Sequence, residues 1–481
     1  MKITKIILIV AVLFIAGATT ATYYFVKQTN PAQVLSFSII QHQLAKQLGG
    51  TNQSLVADLP DWLGLNQPRT YLLLFLNNTE LRPGGGFIGS YAVVRFENGH
   101  PQILKVEGTE IIDRAANRSV LPLPPDPLAT HVRVDRWYFR DSNWSPDFAV
   151  SGQTVLDLYT KENGTAADSI DAVVGVTTHV LEEVMQRSGP ITIKGIEFTA
   201  DNVVEKLEYE VEYGYRNRGV EFTDRKQVLG ELFHELARRL GPDVIKNLSD
   251  YGRLMEKLAI EKQIMAFSPT AELQRRFVAY GWAGTFAPTS TDYLFWVDAN
   301  LAALKTDYAM KRTLSYELGR DAAGNYSATT TMTYTNTGKF DWRTTRYRTY
   351  ARVYVPTGAE LIRVVGAMKW DRTTEPGTPT IWQELGSSVF GAFISIEPGA
   401  TKTLSFVYKL SPKVAASIQK GEYVLTIPKQ LGTVAHGLTL DLDFGTNIKA
   451  ATPAEEQSKW GNSQYTLNTD LRVDRYFTTK F

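Results

Sequence analysis

Five arginines stand at points where a folded chain could gather them around an anion. Arg82 opens the run Arg82-Pro-Gly-Gly-Gly-Phe-Ile-Gly-Ser90. Arg114 follows Asp113, Arg216 and Arg218 precede a helical stretch, and Arg225 follows Asp224 in that helix's first turn. Arg140-Asp141 lies ahead of a further helix start at Ser145. An arginine in a first turn opposes the helix macrodipole, so its presence points to an anion bound where the free backbone N–H groups also aim. Gly84, Gly85 and Gly86 allow close backbone approach. Together these residues describe a phosphate or pyrophosphate pocket, with Asp113, Asp141 or Asp224 able to hold Mg²⁺. Spacing alone favours the plainer alternative, exposed arginines in ordinary surface ion pairs.

Gly84, Gly86 and Gly89 also match the dinucleotide pattern G-x-G-x-x-G behind an apolar run, Thr70 to Leu76. That motif needs a helix directly after the glycines, because the pyrophosphate rests on its N-terminus. Here Ser90 to Phe96 reads as a strand, and Asn98-Gly99 is the pair a type I′ hairpin turn favours. The glycines join strand to hairpin. No nucleotide is expected.

Other chemistries fail on composition and spacing. The six histidines share no metal-ligand spacing, and HExxH, G-x-S-x-G and Walker A motifs are absent. Glu182-Glu183 and Glu455-Glu456 are adjacent carboxylates that point apart on a helix. A net charge of +1, with no run of cations alternating with aromatics, sets nucleic acid aside. Cysteine is absent, which excludes disulfides, thiolate metal sites and cysteine nucleophiles.

The elements that must position these residues fall into four stretches. Residues 1–28 contain Ile6 to Val26, an apolar run of membrane-crossing length behind Lys2 and Lys5, with Tyr23, Tyr24 and Phe25 at its end. This predicts a single-pass anchor with a cytoplasmic N-terminus and an extracytoplasmic bulk. A cleaved signal peptide ending near Ala16-Gly17-Ala18 is the alternative. Residues 29–68 read as an amphipathic helix, 31 to 48, and a linker. Residues 69–285 alternate strands and helices as an α/β domain with helices on a central sheet. A long loop is expected over 110 to 145, and Ser145-Pro146-Asp147 as a helix start with Ser145 as the cap. Helices are expected near 243 to 266 and 269 to 280. Residues 286–481 read as a connecting segment followed, after about 305, by threonine-, tyrosine- and valine-rich runs of period two, the pattern of an antiparallel, immunoglobulin-like β-sandwich.

Four stretches resemble the bacterial envelope proteins grouped as domain of unknown function 4012: LLLFLNNTELRPGGGFIGSYAVV, VDRWYFRDSNWSPDF, DAVVGVTTHVLEEVMQRSGPI and DANLAALKTDYAMKRTLSYEL. That resemblance runs from about Arg69 to the end and carries no established activity. The order of elements is also similar, more distantly, to the LytR-CpsA-Psr fold, whose members transfer glycans from polyprenyl pyrophosphate carriers onto peptidoglycan. This second resemblance implies that Arg82, Arg114, Arg216, Arg218 and Arg225 hold pyrophosphate, with Arg225, Arg114 and Asp113 acting on it. Gly84, Gly85 and Gly86 are expected beside them from the residue reading alone. Asp113 and Asp224 would contact Mg²⁺, and the lipid would lie in an apolar tunnel between sheet and helices. Departures are plain: the glycine loop replaces that family's R-S-D-T run, and Asp113-Arg114 stands in reversed order. Two functions follow as expectations. One is a membrane-anchored binder or transferase of polyprenyl-linked glycans; the other is a non-enzymatic envelope scaffold whose β-sandwich binds wall polymer or a partner.

Overall fold

The computed structural model describes residues 58, 60–221, 225, 227–320 and 324–481. The expected anchor at 6–26, the amphipathic helix at 31–48 and Asp224 lie outside the described residues. Among the described residues no helix is long and apolar enough to cross a membrane.

The apolar run from Thr70 becomes strand β1 (Arg69–Asn77), the middle of a five-stranded sheet ordered β3-β2-β1-β4-β7. Strand alternation sends Leu72, Leu74 and Leu76 to one core and Tyr71 and Leu73 to another, so the sheet is buried on both faces. β1 pairs antiparallel with β2 (Phe87–Glu97) and parallel with β4 (Ala172–Thr177). β2 turns into β3 (His100–Gly108) through Asn98 and Gly99 at φ 52° and 78°, the left-handed pair a type I′ turn needs. No helix follows the glycines.

Helix α1 (Thr109–Ala115) occupies part of the expected long loop. α2 (Phe148–Lys161) packs Phe148, Val155 and Tyr159 on one sheet face. Its cap is Asp147, not Ser145: one Asp147 carboxylate oxygen accepts from Ala149 and Val150 N–H. The other accepts from Phe286 N–H, which a serine could not also reach. α3 (Thr178–Ser188) stops at Gly189, φ 70°. The short hairpin of β5 (Ile191–Ile193) and β6 (Ile196–Phe198) leads to α4 (Val203–Tyr209), which widens into a π-helical turn over Glu210–Gly214. α5 (Gln227–Lys246) and α6 (Leu248–Ile260) complete a helical core with α3 and α4. The helix expected to run to 266 ends earlier: Lys262 takes φ 52°, and Ile264–Phe267 is β7, antiparallel to β4. α7 (Ala271–Ala279) covers the opposite face with Trp62.

The C-terminal region is β-rich, but it is not a two-sheet antiparallel sandwich. Three sheets surround one core, and β10 (Met310–Arg320) runs parallel to β18 (Gly437–Asp443). β11 (Tyr326–Asn336) alternates buried and half-buried residues along its whole length, as its threonine–tyrosine pattern predicts. No linker separates the two regions. Residues 429–433 enter the α/β core, with Leu431 bridging Gly84, Gly432 N–H donating to Lys262 O at 3.0 Å, and Gln263 Nε2 donating to Thr433 O at 2.7 Å.

Candidate functional site: an apolar cavity with a charged mouth

At the carboxyl ends of β1 and β4 lies a cavity of about 340 Å³. Its floor is Phe75, Leu76 and Val176 from the sheet; its walls are Leu181 of α3, Val204 and Leu207 of α4, Val211 of the π-helical turn and Leu229 of α5. Parallel strands leave their ends open at such points, and α/β proteins place ligands there. Glu80, Glu110, Glu208, Glu212, Arg140, Arg225 and Lys305 share the lining, and Glu110, Arg140 and Glu212, with side chains 25%, 33% and 47% exposed, mark its mouth.

Each mouth cation has a carboxylate beside it. Arg225 Nη2 donates to Glu110 Oε1 at 2.6 Å, Lys305 Nζ lies 3.7 Å from Glu212 Oε1, and Arg140 Nε lies 3.0 Å from Asp113 Oδ2. Glu208 is held by Thr79 Oγ1 at 2.5 Å, Asn77 Nδ2 at 3.1 Å and Arg343 Nε at 2.7 Å. Burial pushes the Glu80 carboxyl up against the pull of Arg82 and Lys305. An anionic headgroup entering here would exchange partners with existing pairs rather than fill an unpaired positive site.

The structure scatters the predicted arginines. Of the five, only Arg225 lines the cavity. Arg82 is buried at 3% exposure and spent internally: Nε donates to Asp141 at 3.0 Å, Nη1 to Asn300 O at 2.8 Å and Nη2 to Glu80 at 3.3 Å. Gly84, Gly85 and Gly86 are buried beside Asn143, Leu431 and Asn77 and do not line the cavity. Arg82 and the three glycines therefore lie where the two regions join, outside the cavity lining expected to hold an anion. Their φ values and lost Cβ atoms serve packing: at Gly86 a Cβ would stand 2.6 Å from Asn77 C. Arg114 is exposed on α1, Arg216 lies against its neighbour Tyr215, and Arg218 pairs with Glu210. Lys305 was missed at the sequence level and Arg140 was noted only for its place ahead of a helix start, since only the fold brings the two together.

The Mg²⁺ expectation meets poor donors. Asp113 is buried with Glu162, and burial, then the Glu162 charge, push its carboxyl up to about 9. Asp113 Oδ1 and Glu162 Oε2 have no hydrogen-bond donor among the described residues, and Arg140 Nε lies 3.0 Å from Asp113 Oδ2, so burial beside a second carboxyl favours the protonated form. Magnesium requires ionised oxygens in near-octahedral array. Among the described residues no three acidic or histidine side chains gather as a metal site, and Asp224 is not described. No step through Mg²⁺ is derived.

The Asp113 pair yields a pH prediction. A carboxyl with a folded pKa above its unfolded value contributes stability that is complete below the unfolded pKa and is lost as pH rises toward the folded one. The window runs from about 4 to 9. Buried Lys429, lowered to about 7 by burial and the nearby Lys262, has the opposite slope but only above pH 7. Asp113→Asn should therefore gain on the wild type between pH 5 and 7, by on the order of 1–2 kcal/mol in urea unfolding. A gap that does not change with pH would show that Asp113 is ionised in the folded protein.

Residues 66–212 match the family described as "Protein of unknown function (DUF4012)". This segment belongs to the DUF4012 family. The DUF4012 segment supplies the sheet floor, α3, α4 and the first half of the π-helical turn, whereas Arg225, Leu229 and Lys305 come from beyond it. No curated protein matches the chain. Among solved structures, a putative nutrient binding protein from Legionella pneumophila is 9% identical, with 39% of this chain and 71% of that chain covered and a TM-score of 0.24. An M1 zinc metallopeptidase from Deinococcus radiodurans is 10% identical, with 36% and 42% covered and a TM-score of 0.14. The chain thus spans less than half of the peptidase. Scores this low carry no argument about fold or function.

Proposed function

We propose that this protein binds an amphipathic isoprenoid phosphate, chain in the cavity and headgroup at the mouth, as a membrane-anchored, extracytoplasmic envelope protein. The observation that carries the reading is a cavity lined largely by apolar side chains whose lining also holds Arg225, Arg140 and Lys305. Apolar walls recover about 25 cal/mol per Å² of chain surface removed from water, so the chain supplies affinity and the mouth supplies orientation. A volume of about 340 Å³ accommodates only the part of a long polyprenyl chain nearest the headgroup. The LytR-CpsA-Psr resemblance supports the same placement, a lipid between sheet and helices, and the apolar run at 6–26 supports the anchor.

Transfer chemistry has less behind it than binding. Phosphoryl-group transfer rests on cations that neutralise developing charge, and only one of the five predicted arginines reaches the mouth. That dispersal favours a second reading, a lipid-binding envelope scaffold that positions a carrier without breaking it.

Native mass spectrometry of the full chain in detergent, with farnesyl phosphate as probe, tests the binding reading. A one-to-one adduct is expected in the wild type. It should vanish in Leu229→Trp and Val211→Trp, which fill the cavity from two sides. Arg225→Ala should bind at least about tenfold more weakly, a loss of about 1.4 kcal/mol. An adduct that survives both cavity-filling changes would place the lipid elsewhere and sink the proposal.

A further inference from the structure

Beside the cavity mouth stands a group of aromatic side chains that the lipid site does not use. The π-helical turn that sends Val211 and Glu212 to the cavity presents Tyr209 and Tyr213 to solvent, 37% and 43% exposed. Their rings lie 6.2 Å apart at 30°, and Trp342 of the β-rich region meets both edge-on, at 5.3 and 5.8 Å. Tyr308 continues the group at 63% exposure, its ring 3.8 Å from the Arg343 guanidinium. The shelf and the cavity share a border. Glu208 and Glu212 line the mouth and alternate along the chain with Tyr209 and Tyr213, and Arg343 is bonded to Glu208.

We infer that this shelf is a sugar-binding subsite, which receives a pyranose ring of a headgroup glycan emerging from the mouth. The inference rests on the lipid-cavity reading for the ligand's direction, but the shelf's chemistry stands on its own residues. A pyranose has a face of weakly positive C–H groups, which suits the negative face of an aromatic ring, and a rim of hydroxyls. Rim partners are present. The Glu205 and Glu212 side chains are 53% and 47% exposed and accept from hydroxyls. Rings braced edge-on against one another lose little freedom on binding. π-helical turns recur at functional sites because they displace side chains from helical register. Here the turn turns Val211 inward and Tyr213 outward.

Tyrosine and tryptophan also line membrane interfaces. The same edge, however, carries Glu205 and Glu212, and carboxylates beside an anionic bilayer surface are unfavourable. A base-stacking role conflicts with those carboxylates too, since phosphates would meet them.

The test uses the full chain in detergent on an array of lipid-free bacterial oligosaccharides, with Tyr209→Ala and Tyr213→Ala, both exposed positions that leave the core intact. The wild type should retain at least one sugar class, and each variant should bind it at least tenfold more weakly while its farnesyl phosphate adduct is unchanged. Absence of any sugar binding at millimolar concentration overturns the inference, as does binding that both variants preserve. So does a result in which the variants lose only attachment to phosphatidylglycerol vesicles, which would make the shelf a membrane contact. Because the sugars carry no lipid, the shelf can fail while the cavity reading stands. Conversely, cavity-filling variants that lose the lipid but keep the sugar leave the shelf standing.

Discussion

Arg82→Met should lower stability by about 3–5 kcal/mol, the cost of leaving buried charges without their partner. Asp141 is 6% exposed and Glu80 lies beside it, and both rely on the one guanidinium. The same side chain donates to Asn300 O, at the start of the β-rich region, so its loss also loosens the junction. Methionine keeps most of the volume but none of the five donors. The midpoint of urea unfolding should fall steeply, while farnesyl phosphate uptake per folded molecule stays within about twofold, since Arg82 does not reach the cavity. Unchanged stability with lost lipid binding would restore the pyrophosphate role expected from the sequence and remove the structural one.

The second large effect is expected at Gly432. Its φ is 74°, and a Cβ there would stand 1.8 Å from Gly85 O and 2.8 Å from Gly85 Cα. Both are backbone atoms, so no rotamer change relieves the contact. Gly432→Ala therefore combines a left-handed residue, about 1–2 kcal/mol, with overpacking of about 1–3 kcal/mol. A loss of about 3 kcal/mol or more is expected. Gly461→Ala is the control: its φ is 88° and nothing lies within 4 Å of its Cβ, so only the conformational cost remains. Because Gly432 sits where the two regions interlock, thermal unfolding followed by tryptophan fluorescence and far-ultraviolet dichroism should shift together. Separate transitions would show that the regions fold independently despite the shared core.

These two residues mark the line between what spacing reveals and what it hides. The Asn98-Gly99 turn and the alternation of β11 were both legible, because each is dictated by φ or by a covalent period along a few residues. The buried face of α5, with Val228, Leu232, Leu236 and Leu240, follows the same rule. β7 was not legible, since a four-residue apolar run fits a strand or a helix end equally. Asp147 outcompeted Ser145 as cap because a distant backbone group, Phe286 N–H, also needed an acceptor.

For the site, the sequence by itself determined which motifs are missing and that arginines, glycines and aspartates lie near element ends. Tertiary structure alone decided their roles. It buried Arg82 against Asp141 and Asn300, closed the glycines on residue 432, and buried Asp113 beside Glu162. It brought Lys305 and Arg140 to one mouth with Arg225, and set Trp342 beside Tyr209 and Tyr213. The physical reason is that a charge's role depends on its desolvation and on the groups within a few ångströms of it. Those groups come from residues far apart along the chain, where no local period records them.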